Sequence, residues 1–395
     1  MIDESTGLIT RSTPSPPRHK NISNKENKYY WQILILIGIY YLLPSLQFVI
    51  FQMRDDSVQC YYNLKCKYDW MGIQSFNSII SNIFYIIFGI TFLIIVKVNE
   101  KKYTDGVIQR GVNKNLSLYY ALGINLILEG ICSSLFHTCP SVLNFQFDTS
   151  FMFIGTSLMF LTLYSKRHNV LPSPTKFFSF LSCIVFINIL PLTGTSNGNE
   201  FWFWFIIYVL ISYLMIIGTI FVYYGEEYDF DVKSLFIFIR KIKNLKPKDY
   251  PKFLLLLVIN SFTLGMLIYG GSYKPEFTTW MLFTFLANLL IYFIFYLIQK
   301  MKNKEYVGYK IWFAIFINNI VLITAMIFFE TPVSDKYLTP EESQKLNEPC
   351  TLFNYWDYHD IWHIFSALGL FMFMMISFFL DIKLNHIEYS EIPKF

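Results

Sequence analysis

Apolar runs long enough to cross a bilayer recur along almost the whole chain. They fall at about 31–52, 77–97, 117–137, 148–165, 176–194, 201–224, 252–270, 277–299, 309–329 and 361–381. A hydrocarbon core of roughly 30 Å needs about 20 apolar residues in a helix. A chain with ten such runs has one fold class open to it, because in lipid every backbone N–H and C=O must be satisfied within the protein. The expectation is an all-α polytopic bundle of about ten transmembrane helices. Only 15% of residues are charged, against about 25% in soluble domains, which excludes a soluble multidomain enzyme of this length. Residues 1–30 are polar and contain Ser-Thr-Pro-Ser-Pro-Pro. They read as a disordered segment with no cleavable signal, ahead of a single multipass domain over 31–395.

Loop charge orients the bundle. With the N-terminus in the cytosol, cytosolic segments hold 26 of the 32 Lys and Arg. An even number of spans puts both termini there. The remaining loops carry twelve Asp and Glu against six Lys and Arg, a net charge of −6. That face lacks the positive stripe that phosphate-backbone binding requires. Cys60, Cys66, Cys139 and Cys350 also lie in non-cytosolic loops. In an oxidising compartment they read as up to two disulfides. Cys60–Cys66 is the local pairing, and Cys139–Cys350 would tie together two loops distant in sequence. Four free thiols is the alternative.

Three of the six histidines map to the non-cytosolic ends of spans. His137 ends the third run. His359 and His363 open the tenth, at the i, i+4 spacing that presents two imidazoles from one helix face. Asp148 opens the fourth run at the same depth. A lone histidine at a helix end is usually an interfacial residue. Three at one depth beside a carboxylate read as a metal site, since polar groups there need a partner or a function. Three neutral imidazoles suit Zn²⁺, Cu²⁺ or Fe²⁺ rather than ions that prefer oxygen, with zinc favoured, and three ligands leave a fourth position open, as in catalytic sites. Asp148 is the candidate to accept or orient a proton. Ser133, one turn deeper than His137, is the candidate to hold water or an oxyanion. Glu129 continues that stripe, either as a group behind the ligands or as a protonated, hydrogen-bonded carboxyl. Asn77, Ser78, Ser81 and Asn82 are candidates for orienting the ligands or for joining helices.

Ser133…His137-Thr-Cys-Pro, Asn144-Phe-Gln-Phe-Asp148-Thr-Ser-Phe-Met and Asp357-Tyr-His359-Asp360-Ile-Trp-His363 resemble the membrane region of the systemic RNA interference defective (SID) transmembrane family. That family includes cholesterol-uptake proteins. The resemblance runs from about residue 30 to the C-terminus. The wider group, with alkaline ceramidases and progestin and adipoQ receptors, shares Ser-x3-His, Asp and His-x3-His. It implies zinc on His137, His359 and His363, with Asp148 and Ser133 beside it. Family members typically carry an extracellular β-rich region and one more span ahead of the membrane domain, where this chain has about 30 polar residues. The family's RNA-binding surface is attributed largely to that region.

The resemblance implies uptake of double-stranded RNA or cholesterol. The site residues themselves point to a zinc-dependent lipid amide or ester hydrolase, ceramidase- or phospholipase-like. A receptor or scaffold with a structural metal is the third reading. Expected partners are membrane lipids or sterol, double-stranded RNA by resemblance, and a second copy in a homodimer. The expected location is the plasma membrane or a lysosomal or endosomal membrane.

Overall fold

The computed structural model describes residues 29–395 except 53, 55–58, 105–110, 113–114, 169, 190–199, 226–227, 229, 245–249 and 274. Of the segment 1–30 expected to be disordered, residues 1–28 lie outside these; Tyr29 and Tyr30 are described, and buried Tyr30 opens the first helix. The helices are α1 (Tyr30–Gln52), α2 (Phe76–Ser81), α3 (Ile83–Thr104), α4 (Leu116–His137), α5 (Phe145–Ser165), α6 (Pro174–Ile189) and α7 (Glu200–Tyr224). Then follow α8 (Val232–Lys241), α9 (Tyr250–Tyr273), α10 (Phe277–Lys302), α11 (Tyr309–Phe329), α12 (Pro340–Lys345) and α13 (Tyr358–Phe379). Among the described residues there is no sheet, only two isolated bridges.

Nine of the ten expected spans are helices of membrane-crossing length and composition among the described residues, α2 and α3 together forming one. The fifth, α6, is a shorter apolar helix. The fold still makes the chain traverse the bundle there. α6 starts beside the α1 start, where the Tyr30 hydroxyl donates to the Pro172 carbonyl. α7 ends at that same side, where the Tyr164 hydroxyl donates to Val222 O. Its other end lies across the bundle, with Tyr208 donating to Pro275 O. Tyr30 and Phe395 thus sit at one end, as an even number of crossings requires.

α4 and α5 form the centre, 72% and 78% buried along their apolar stretches, against 17% for the peripheral α11. α3 approaches α4 through glycines. A Cβ added at Gly123 would meet Leu93 at 2.6 Å, and one at Gly89 would lie 2.8 Å from the Gly123 carbonyl. Small residues let backbones close up where lipid offers no hydrophobic drive.

The end of the bundle away from the histidines is locked by buried charge. Arg167 forks onto Glu305 at 2.8 and 2.7 Å and reaches Asp381 at 3.0 Å. Lys300 reaches the same two carboxylates, at 2.8 and 2.7 Å. Lys166 pairs with Asp381 at 2.9 Å, and burial pulls its ammonium below the ordinary lysine range. The guanidinium also lies 4.5 Å over the Phe395 ring.

The disulfides differ from the expected pairing. They are Cys60–Cys139 and Cys66–Cys350, not Cys60–Cys66 and Cys139–Cys350. Residues 60–66 form a strap between two walls. At one end Tyr61 N donates to Pro140 O at 2.8 Å, and the Tyr62 hydroxyl donates to Thr138 O at 2.5 Å. At the other, Asn63 Nδ2 donates to Glu348 O at 2.8 Å, and Leu64 N donates to Asn347 Oδ1 at 3.0 Å. The cysteines at the strap's ends therefore bond outward to the wall each one touches.

Candidate metal centre

Each ligand candidate is placed by a helix end with a local reason to be there. α4 stops at His137 just before Thr-Cys-Pro, and a proline cannot extend a helix. α5 opens on Asn144, with Asp148 in its first turn, where a carboxylate meets the positive end of the helix dipole. α13 opens with a capping box. Asp357 accepts from Asp360 N at 2.9 Å, and Asp360 accepts from Asp357 N at 3.3 Å. That box sets the rotation of the turn carrying His359 and His363. Asn63 clamps it through Asp357 at 2.9 Å, and Asn77 through Asp360 at 3.0 Å.

One nitrogen from each of His137, His359 and His363 lies within 4.8 Å of the others. His137 Nε2 and His363 Nε2 are 3.2 Å apart. Two nitrogens at about 2.05 Å from one zinc in tetrahedral array would be about 3.3 Å apart. Ser81 Oγ lies 2.7 Å from His363 Nδ1 and spends its own proton on Ser78 O at 2.7 Å. Nδ1 of His363 is therefore the protonated nitrogen and Nε2 carries the lone pair, which is how a ligand imidazole is held. His363 is fully buried and His137 nearly so. The spacing of the three imidazoles and the hydrogen bond on His363 Nδ1 fit a zinc ion.

The buried Ser133 hydroxyl donates to Asp148 Oδ1. The sequence-predicted pair thus meets beside the histidines. His137, His359 and Asp148 line a cavity of about 200 Å³ whose other wall includes Met152, Leu282, Phe329 and Val333. Asn77 does not touch a ligand. It acts through the α13 cap and also donates to Cys66 O at 3.2 Å. Glu129 lies deeper on the Ser133 stripe, buried, and neither carboxyl oxygen has a hydrogen-bond partner among the described residues. The hydrogen-bonded alternative for it therefore finds no partner there.

Lys336 enters the cavity from the loop before α12, its Nζ 3.3 Å from the Phe145 ring centroid. Burial lowers its pKa, with Glu276 and Asp148 pulling the other way. In the sequence it is a lysine between Asp335 and Glu341 in a loop expected to be non-cytosolic, a pattern that marks position but not reach. Asp357 and Asn63 were also outside the predicted set, although Asp-x-x-Asp ahead of an apolar run is a readable cap.

Residues 11–395 match the sequence profile of the family described as dsRNA-gated channel SID-1. The chain is 33% identical over 401 residues to SID1 transmembrane family member 1 of Rattus norvegicus, covering 95% of this chain and 48% of that protein. It is 32% identical over 396 residues to the Homo sapiens protein of the same name, covering 95% and 47%. Cholesterol uptake protein 1 of Caenorhabditis elegans is 29% identical over 370 residues, covering 88% and 48%. The chain spans about half the length of the curated relatives it matches. With the polytopic helical fold, these matches make the chain an integral membrane protein belonging to the dsRNA-gated channel SID-1 family.

Proposed function

We propose that this chain holds zinc between His137, His359 and His363 and hydrolyses an amide or ester bond of a membrane lipid. The observation that carries this reading is the convergence of three imidazoles beside the Ser133–Asp148 pair, in a cavity with an apolar wall. Bound zinc supplies a Lewis acid that acidifies a water and polarises a carbonyl. The protein's own groups do the rest. Asp148 faces the cavity, so its carboxylate is the group placed to take a proton. The Ser133 hydroxyl fixes the orientation of that carboxylate. Lys336 brings a cation toward developing negative charge. The apolar part of the lining suits the hydrocarbon part of a lipid.

A second reading is uptake of double-stranded RNA or sterol across a plasma, lysosomal or endosomal membrane. The family description as a dsRNA-gated channel and the relative named for cholesterol uptake favour it. The two readings are compatible if a hydrolase core serves an uptake protein.

Metal content and lipid turnover on one preparation test the first reading. We expect one zinc per chain, lost in His359→Ala/His363→Ala. Zinc undiminished in that variant sinks the site. Asp148→Ala should keep the zinc and lose the turnover, whereas turnover absent from the wild type leaves only a structural metal. RNA uptake and sterol uptake in cells lacking the gene test the second reading, and it is removed if both are unchanged.

A further inference from the structure

The connection between α7 and α9 carries the ten-residue helix α8, capped where Ser234 N donates to Asp231 Oδ1 at 2.6 Å. One sector of α8 faces inward. Phe238 is buried, its ring 5.4 Å from that of Phe221, one turn before the end of α7. The neighbouring sector is also apolar. Val232, Phe236 and Ile239 follow one another at i, i+4 and i+7, the spacing of a single helix face. They are 71%, 65% and 36% exposed. Lys233 and Arg240 border one side of that sector, both exposed. Seven of the chain's 32 Lys and Arg lie between 233 and 252, against Asp249 in that stretch and Glu226, Glu227, Asp229 and Asp231 just before it, which leaves 226–252 with a net charge of +2.

We propose that α8 is an interfacial helix that lies in the leaflet surface and binds the headgroups of anionic phospholipids. Depth supports this occupant. The Phe238–Phe221 contact ties α8 to the last turn of a span, the level at which hydrocarbon gives way to headgroups. The charge is complementary. Each basic side chain near an anionic leaflet strengthens association by about fivefold, and the two cations border one side of the apolar strip. A second copy of the chain fits less well. A two-fold contact over this face would set Lys233 and Arg240 against their own counterparts.

The test uses the full chain, one copy per nanodisc, in phosphatidylcholine alone or with phosphatidylserine. Amide hydrogen exchange is followed over 232–241. We expect exchange to slow by about tenfold when phosphatidylserine is present, and high salt to abolish that slowing. Lys233→Gln/Arg240→Gln/Lys241→Gln should lose the dependence on phosphatidylserine, while unchanged exchange over α5 reports an intact bundle. Phe236→Glu should raise exchange in both lipids. Equal exchange in the two nanodiscs overturns the proposal. So does protection in detergent that rises with protein concentration, which would assign the face to a second copy.

Discussion

His363 is oriented by one hydroxyl, and that contact sets which nitrogen faces the other imidazoles. Ser81→Ala would leave a buried Nδ1–H without its acceptor and release the ring. We expect zinc retention to weaken about 10- to 100-fold, read by competition with a chelator, and Ser81→Thr to restore most of it. The three histidines are legible in the chain because i, i+4 spacing and span ends are one-dimensional facts. Asp148 and Ser133 are legible for the same reason, but their contact is not: Ser133, expected to hold water or an oxyanion, instead donates to Asp148. Ser81 is legible only as one of four polar residues near a span end. The helix breaks at Asn82 between α2 and α3, and Asn77, Ser81 and Asn82 are all buried, so a continuous helical period does not tell which of the four meets a histidine. Lys336 is harder still. A loop residue's reach depends on the fold of the loop, which no periodicity encodes.

At the scale of elements, close helix approach and buried charge make separate predictions. Gly123→Leu forces a side chain against Leu93. Overpacking of this kind costs about 1–3 kcal/mol, and thermal unfolding in detergent should show the loss. Asp381→Asn leaves buried Lys166 with no carboxylate partner, and Arg167 and Lys300 sharing Glu305 alone. Removing one partner of a buried ionic group costs about 3–5 kcal/mol, so this variant should unfold at markedly lower denaturant. The spans themselves were readable from apolar length. The fate of these cations was not. Loop counting assigns Lys166, Arg167 and Lys300 to one end of the bundle, but tertiary packing turns them inward onto Asp381 and Glu305. The cysteine pairing shows the same boundary. Compartment logic predicts two disulfides, and spacing favours the local pair. The extended strap settles the matter by touching a different wall at each end.

Across the whole molecule, two helices tie the ends together. α5 has Asp148 near its start and Lys166 and Arg167 just past its finish. α13 has His359 and His363 in its first turns, and Asp381 follows it. The histidine cluster and the ionic lock thus sit at opposite ends of the same two rods. The strap adds a covalent link across the sequence. Any cut between Cys139 and Cys350 leaves two pieces still joined through Cys66–Cys350. A protease site placed after Asn244 should therefore give a single band near the intact 46.8 kDa without reductant and two bands with it. Cys66→Ser should release the pieces even without reductant, and Cys60→Ser should not. A nicked chain would keep both walls of its histidine cluster in register, as a two-chain protein made from one.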